Sequence, residues 1–131
     1  MEFTISTTKK QQCIDISEQV NKALKNSKIK NGLLNIYTTH STTAIIINEN
    51  HDPNIKADLL SYLEKQIPQG IWLHDKIDGN GAAHIKASLL SPSESIPIQD
   101  NKLQLGQWQS PMLIEFDGPR QRKIIISIIS N

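Results

Sequence analysis

Short alternating stretches and longer helical repeats of apolar residues divide this chain. Glu2–Ser6 and Gln12–Ile16 alternate well enough to predict two strands. Val20, Ala23 and Leu24 share one helical face, which predicts a helix over Glu18–Asn26 with Asp15 or Ser17 as its cap. Beyond an Asn31-Gly32 turn, Leu33–Thr39 and Thr42–Glu49 read as strands flanking a corner at His40-Ser41. Asp52-Pro53 then supplies a capping carboxylate followed by a proline at the first helical position. Ile55, Leu59, Leu60, Leu63 and Ile67 keep the 3.6-residue period until Pro68-Gln-Gly70 ends it.

Leu73–Gly81 reads as irregular, and Ala82–Leu90 as a short helix stopped by Ser91-Pro92. Ser95–Gln99 and Leu103–Leu105 predict a hairpin across Asp100-Asn101. Met112–Phe116 and Lys123–Ile129 predict a last strand pair across Asp117–Arg120. Strands outnumber helices and the helices do not alternate with them, so the expected fold is α+β with a mainly antiparallel sheet.

Isoleucine, β-branched and stiff at χ1, outnumbers every other apolar type. It concentrates in Thr43–Asn48 and Lys123–Ile129, runs suited to strands covered on both faces. The second run is therefore expected in a central strand or buried in an oligomer.

With 131 residues, 37% of them hydrophobic and 21% charged, the chain has the composition of one globular domain rather than a disordered chain. A net charge of +1 gives no sign of a nucleic-acid partner. Cys13 is the only cysteine, so no intramolecular disulfide forms. No apolar run is long enough to span a membrane, and Met1–Gln12 lacks the apolar core of a signal peptide. These features lead to the expectation of a cytoplasmic protein without a membrane partner.

Candidate chemistry centres on histidine. His74, Asp78, Asn80 and His84 lie within eleven residues of a loop that Gly79 and Gly81 allow to bend, and His40 could add a third imidazole. Three such ligands suit an open zinc-like site. The same residues would equally serve as hydrogen-bonded structural groups. Glu49, Glu115 and Asp117 are further carboxylates near strand ends, and Arg120 could grip a phosphate bidentately from its turn. Lys86 and Ser88, on the helix after His84, could hold an anion in the same way. Each of these also has a plain reading as a capping or solvated residue. Cys13 reads as a small hydrophobe, His51 as an exposed residue, and Trp72 and Trp108 as core or interface.

Six blocks then come in order: Tyr37–Ala44, Asn48–Asn50 with Asp52-Pro53, His74-Asp75, Asp78–Asn80 with Ala83–Leu90, Leu105–Gln109 and Glu115–Arg120. Together they resemble the YjbQ-like family, also called the secondary thiamine-phosphate synthase family, over nearly the whole chain. The resemblance implies one β-sandwich-like (jelly-roll-like) α+β domain over residues 1–131, with two or three helices, assembled as a homotrimer.

It also implies a divalent metal, zinc or similar, at His40, His74 and His84. Asp78, Asn80, Glu49 and Glu115 fall on the family's polar positions as candidate catalytic groups, and Arg120 on another as a ligand-binding group, which Lys86 and Ser88 join only by their place on the helix after His84. The implied function is a small metal-assisted transferase acting on a phosphorylated metabolite, with weak thiamine-phosphate synthase activity. The alternative is a non-catalytic trimeric module that binds a metal or an anion.

Overall fold

The computed structural model describes residues 1–131. Eight strands and three α-helices follow one another as β1 (Glu2–Ser6), β2 (Gln12–Asp15), α1 (Ser17–Ser27), β3 (Gly32–Thr38), β4 (Thr43–Glu49), α2 (Pro53–Gln66), α3 (Gly81–Leu90), β5 (Ser93–Gln99), β6 (Lys102–Leu103), β7 (Gln109–Glu115) and β8 (Gln121–Ser130). A single 3-10 turn over Leu73–Lys76 breaks the loop expected to be irregular. The fold is α+β, as the pattern predicts.

The strands form two antiparallel sheets, ordered β1-β8-β3-β5-β6 and β2-β7-β4. The strand pair expected across Asp117–Arg120 does not form. β7 and β8 are not a hairpin: β7 pairs with β2 and β4, whereas β8 pairs with β1 and β3. The Asp117–Arg120 turn therefore carries the chain from one sheet to the other. The His40-Ser41 corner does the same between β3 and β4. A short polar turn joining two apolar strands looks alike in sequence whether the strands pair or face each other.

Strand alternation explains the layers. Ile45 of β4, Leu113 of β7, Ile124 and Ile126 of β8, and Leu34 and Ile36 of β3 point between the sheets, where Val20, Ala23 and Leu24 of α1 join them. The opposite faces of β4 and β7, with Ala44 and Ile114, meet Leu63 of α2 and the alanine face of α3. Both faces of the Ile45–Ile47 run are thus covered. The outer face of the larger sheet carries no helix, and Leu33, Tyr37 and Ile129 remain exposed on it. No helix is long and apolar enough to cross a membrane.

The local signals hold at α2 and at the β5–β6 turn, whereas α1 starts after Ile16 with no side-chain cap and Asp15 Oδ1 accepts only the Ser17 N–H, at 2.7 Å. Asp52 Oδ1 accepts the Asn54 N–H at 2.9 Å as the N-cap of α2. Asp52→Ala should therefore cost about 1 kcal/mol of stability. A urea midpoint unchanged from wild type would contradict that capping role. Asp100 and Asn101 turn the β5–β6 hairpin with φ of 51° and 61°, a region these two residue types tolerate.

Candidate functional site

The two sheet-crossing turns meet at one end of the sandwich. The Phe116 N–H donates to the Thr42 carbonyl at 3.1 Å, so the corner after β3 is pinned to the end of β7. At Gly118 the chain passes so close to Lys9 that a Cβ would lie 2.2 Å from the Lys9 carbonyl oxygen. Only glycine fits there. The N-terminus of α3 closes the third side.

Beneath this junction lies a buried ion pair. Arg122 shares the inward parity of Ile124, and Glu115 that of Leu113, so the two side chains meet between the sheets. Arg122 donates to both carboxylate oxygens of Glu115, through Nε to Oε2 at 2.6 Å and through Nη2 to Oε1. The Thr7 hydroxyl and the Asp117 N–H also donate to Glu115, each at 2.9 Å. Arg122 Nη2 further donates to Thr42 Oγ1 at 2.8 Å. Four donors saturate the fully buried carboxylate of Glu115, one of the acids expected to be catalytic, and leave it no lone pair for a ligand.

Above the pair opens a cleft of about 290 Å³. Its lining contains no hydrophobic residue: Thr39, His40, Ser41 and Thr42 come from the first corner, Asp117, Arg120 and Arg122 from the second, and Asn80 and His84 from α3 and its approach. Asn80, preceding the helix, does not cap it with its side chain but donates Nδ2 to Asp117 Oδ2 at 3.0 Å. Arg120 reaches back over its own turn, donating Nη2 to Asp117 Oδ2 at 2.9 Å and Nε to the Asp117 carbonyl at 2.8 Å. It remains 56% exposed. These bonds use two of the five N–H donors of the guanidinium and leave three without a partner in the chain.

His40 Nε2 accepts the Lys123 N–H at 2.8 Å, which fixes the neutral ring with its proton on Nδ1. Burial, and after it the Arg122 charge, lowers the His40 pKa from 6.5. A histidine with a depressed folded pKa stabilises the fold fully above its unfolded value, and that contribution is lost as pH falls below ~6.5. Stability should accordingly drop between pH 7.5 and 5.5 in wild type and less in His40→Gln. Equal losses in thermal melts of the two proteins would remove His40 from this account.

The three histidines do not form a metal centre as they stand. His74 and His84 pack edge to face, 4.7 Å between centroids. His40 shares the cleft with His84 but spends Nε2 on Lys123 and keeps its proton on Nδ1. No three His, Cys, Asp or Glu side chains are grouped so as to hold a metal ion. The donor set of one chain therefore does not fit a three-imidazole zinc site. Asp78 lies outside the cleft, 3.6 Å from His74 Nε2 and largely exposed.

Other expected site residues lie elsewhere. Glu49 ends β4, whereas His40 precedes its start, so the strand separates them; Glu49 accepts the Asp52 N–H at 3.3 Å. Lys86 is fully buried against Glu64 of α2, Nζ to Oε2 at 2.6 Å, and cannot meet a ligand. Ser88 donates its hydroxyl to the His84 carbonyl one turn back. Asp117, expected only as a carboxylate near a strand end, lines the cleft, and Arg122 is a cleft residue that did not stand out in the sequence. The signal for Arg122 was its place, with Glu115, on the apolar faces of two strands joined by one turn.

The discounted residues stay away from the cleft. Burial pushes the Cys13 thiol up to about 11, which keeps it protonated and inert. His51 is exposed and rests against Trp108, 5.5 Å between ring centroids, and Trp108 is exposed rather than core.

Comparison with known proteins places this geometry among relatives. Residues 1–131 match the family model described as UPF0047 protein YjbQ-like. A UPF0047 protein of Archaeoglobus fulgidus is 41% identical over 130 residues, spanning 98% of this chain and 100% of its own. YugU of Bacillus subtilis, another UPF0047 protein, is 38% identical, with 95% of each chain covered. The crystal structure of an uncharacterized YjbQ/UPF0047 protein from Clostridium acetobutylicum superposes with a TM-score of 0.95 at 42% identity, covering 98% of this chain and 99% of that one. A protein of unknown function from Sulfolobus solfataricus does so with a TM-score of 0.96 at 35% identity, over 100% and 96% of the two chains.

Proposed function

The chain belongs to the YjbQ-like UPF0047 family, and on that premise we propose that it binds a small phosphorylated metabolite in the cleft between its two sheet-crossing turns. The observation that supports this reading is the wholly polar lining, in which a half-exposed arginine stands opposite three hydroxyl-bearing residues, Thr39, Ser41 and Thr42. Hydroxyls and the unused N–H groups of the half-exposed Arg120 match the acceptor oxygens of a phosphoryl group. Arg122, neutralised by Glu115, orients Thr42 rather than binding the anion itself.

The candidate reaction is the transfer implied by the family resemblance, in which a pyrimidine methyl diphosphate joins a thiazole phosphate and pyrophosphate leaves. His84 is the imidazole in the cleft that makes no side-chain hydrogen bond, and it is the group placed to move a proton. A second reading, a binding module without turnover, draws support from the saturation of Glu115 and the position of Asp78 outside the cleft. Turnover of a phosphorylated panel, with and without divalent metal, separates the two.

Calorimetric titration with inorganic phosphate tests the shared core of both readings. One site per chain is expected, with affinity reduced about tenfold in Arg120→Ala, the loss typical of a charged hydrogen-bond donor. An unchanged affinity would return Arg120 to the role of a turn residue.

We also propose that the chain assembles as the homotrimer the resemblance implies, through the helix-free outer face of the larger sheet. The exposed Leu33, Tyr37 and Ile129 support this. Sedimentation should give a species of three chains; a stable monomer at micromolar concentration would exclude it.

A further inference from the structure

We propose that Asp117 is the specificity-determining residue of this cleft, and that the ligand it selects is a phosphate ester carrying an ammonium or similar cationic donor. The inference rests on the anion-binding reading above and adds the second half of the ligand.

A pocket built only to hold phosphate would exclude carboxylates, because like charges repel at close range in a partly desolvated site. This cleft instead contains one, only 15% exposed and fixed from three directions. Asn80, the N-cap residue of α3, makes no capping bond with its side chain and donates Nδ2 to Asp117 Oδ2, Arg120 donates to the same oxygen, and the Asp117 N–H is anchored on Glu115. Both side-chain donors converge on Oδ2, and Oδ1 accepts no hydrogen bond within the chain. The cleft therefore offers unused N–H donors and hydroxyls beside a negatively charged acceptor oxygen with no partner in the chain. The charge of Arg120 is already balanced by Asp117, and that of Arg122 by Glu115. A bare phosphate dianion gains no net positive charge here and meets Asp117 at close range. A zwitterionic ester places its phosphate on Arg120 and the hydroxyls and its cation on Asp117 Oδ1.

Two probes of nearly equal size isolate the effect: ethyl phosphate and O-phosphoethanolamine, titrated at pH 8 with inorganic phosphate as reference. Wild type should bind O-phosphoethanolamine roughly three- to fivefold more tightly than ethyl phosphate, the contribution of one partly exposed charge pair. Asp117→Asn keeps the backbone anchors and an acceptor oxygen; in it ethyl phosphate should gain affinity and the preference should vanish. The wild-type comparison needs no variant and stands if Asp117→Asn folds poorly. Equal binding of the two esters by wild type overturns the proposal while leaving the phosphate cleft intact. So does weaker binding of both esters by a folded Asp117→Asn, which would make Asp117 a mere support for Arg120. Failure of inorganic phosphate and both esters to bind overturns the cleft reading and this inference with it.

Discussion

Replacing Arg122 with methionine is expected to lower stability by about 3–5 kcal/mol, because it leaves the Glu115 carboxylate buried between two sheets with only Thr7 and the Asp117 N–H to answer its charge. The urea midpoint should fall far below that of wild type. Exchanging both partners, Arg122→Met with Glu115→Leu, should recover most of the loss, since apolar groups of similar volume replace a buried pair at little cost. The double variant should nevertheless bind phosphate more weakly, because Thr42 loses the Arg122 donor that orients it. A single Arg122→Met variant as stable as wild type would contradict the central place given to this pair.

The second large effect lies on the other side of the smaller sheet. Lys86 is completely buried, 5.9 Å above the Phe116 ring, and its ammonium has only Glu64 and a 3.5 Å contact to Gln11 as partners. Glu64→Ala removes the main partner and should cost about 2–3 kcal/mol, less than a fully enclosed pair because Glu64 itself is partly exposed. Lys86→Met keeps the packing on Phe116 and should be close to neutral. Neither variant should alter phosphate affinity, since Lys86 does not reach the cleft. Weakened phosphate binding in a stable Lys86→Met would restore Lys86 as a ligand group.

Acid titration follows from the same contact. The hydrogen bond from Lys86 holds the Glu64 carboxyl below its usual value, and backbone N–H bonds from Trp72 and Gly81 hold Asp75 down. A depressed carboxyl stabilises the fold above its unfolded value, ~4.3 for Glu and ~3.9 for Asp, and that stability is lost as pH falls through the lower folded values.

Much of the fold was legible because it depends on local chemistry. Helix α2 follows from Asp52-Pro53 and a clean 3.6-residue period, and β4 from an isoleucine run that two layers cover. The pairing of β7 was not legible, because which strand a turn returns to is decided by long-range packing against β2 and β4. The cleft was half legible for the same reason. His40, Asn80, His84 and Arg120 stood out as residue types that bear chemistry. Lys86 looked identical in sequence, but helix phase turns it into the core, and Glu49 sits a strand's length away. Asp117 and Arg122 gained meaning only once the two turns were known to cross between sheets.

Phosphate should bind in the cleft between the two sheet-crossing turns. An amide-resolved NMR titration of the wild-type chain with inorganic phosphate measures this at every residue. Shifts confined to Thr39–Thr42, Asn80–His84 and Asp117–Arg122, saturating with one affinity, are the predicted result. Shifts centred instead on the lysines of the groove beside α1, Lys25, Lys28 and Lys30, with the cleft amides unmoved, would contradict it.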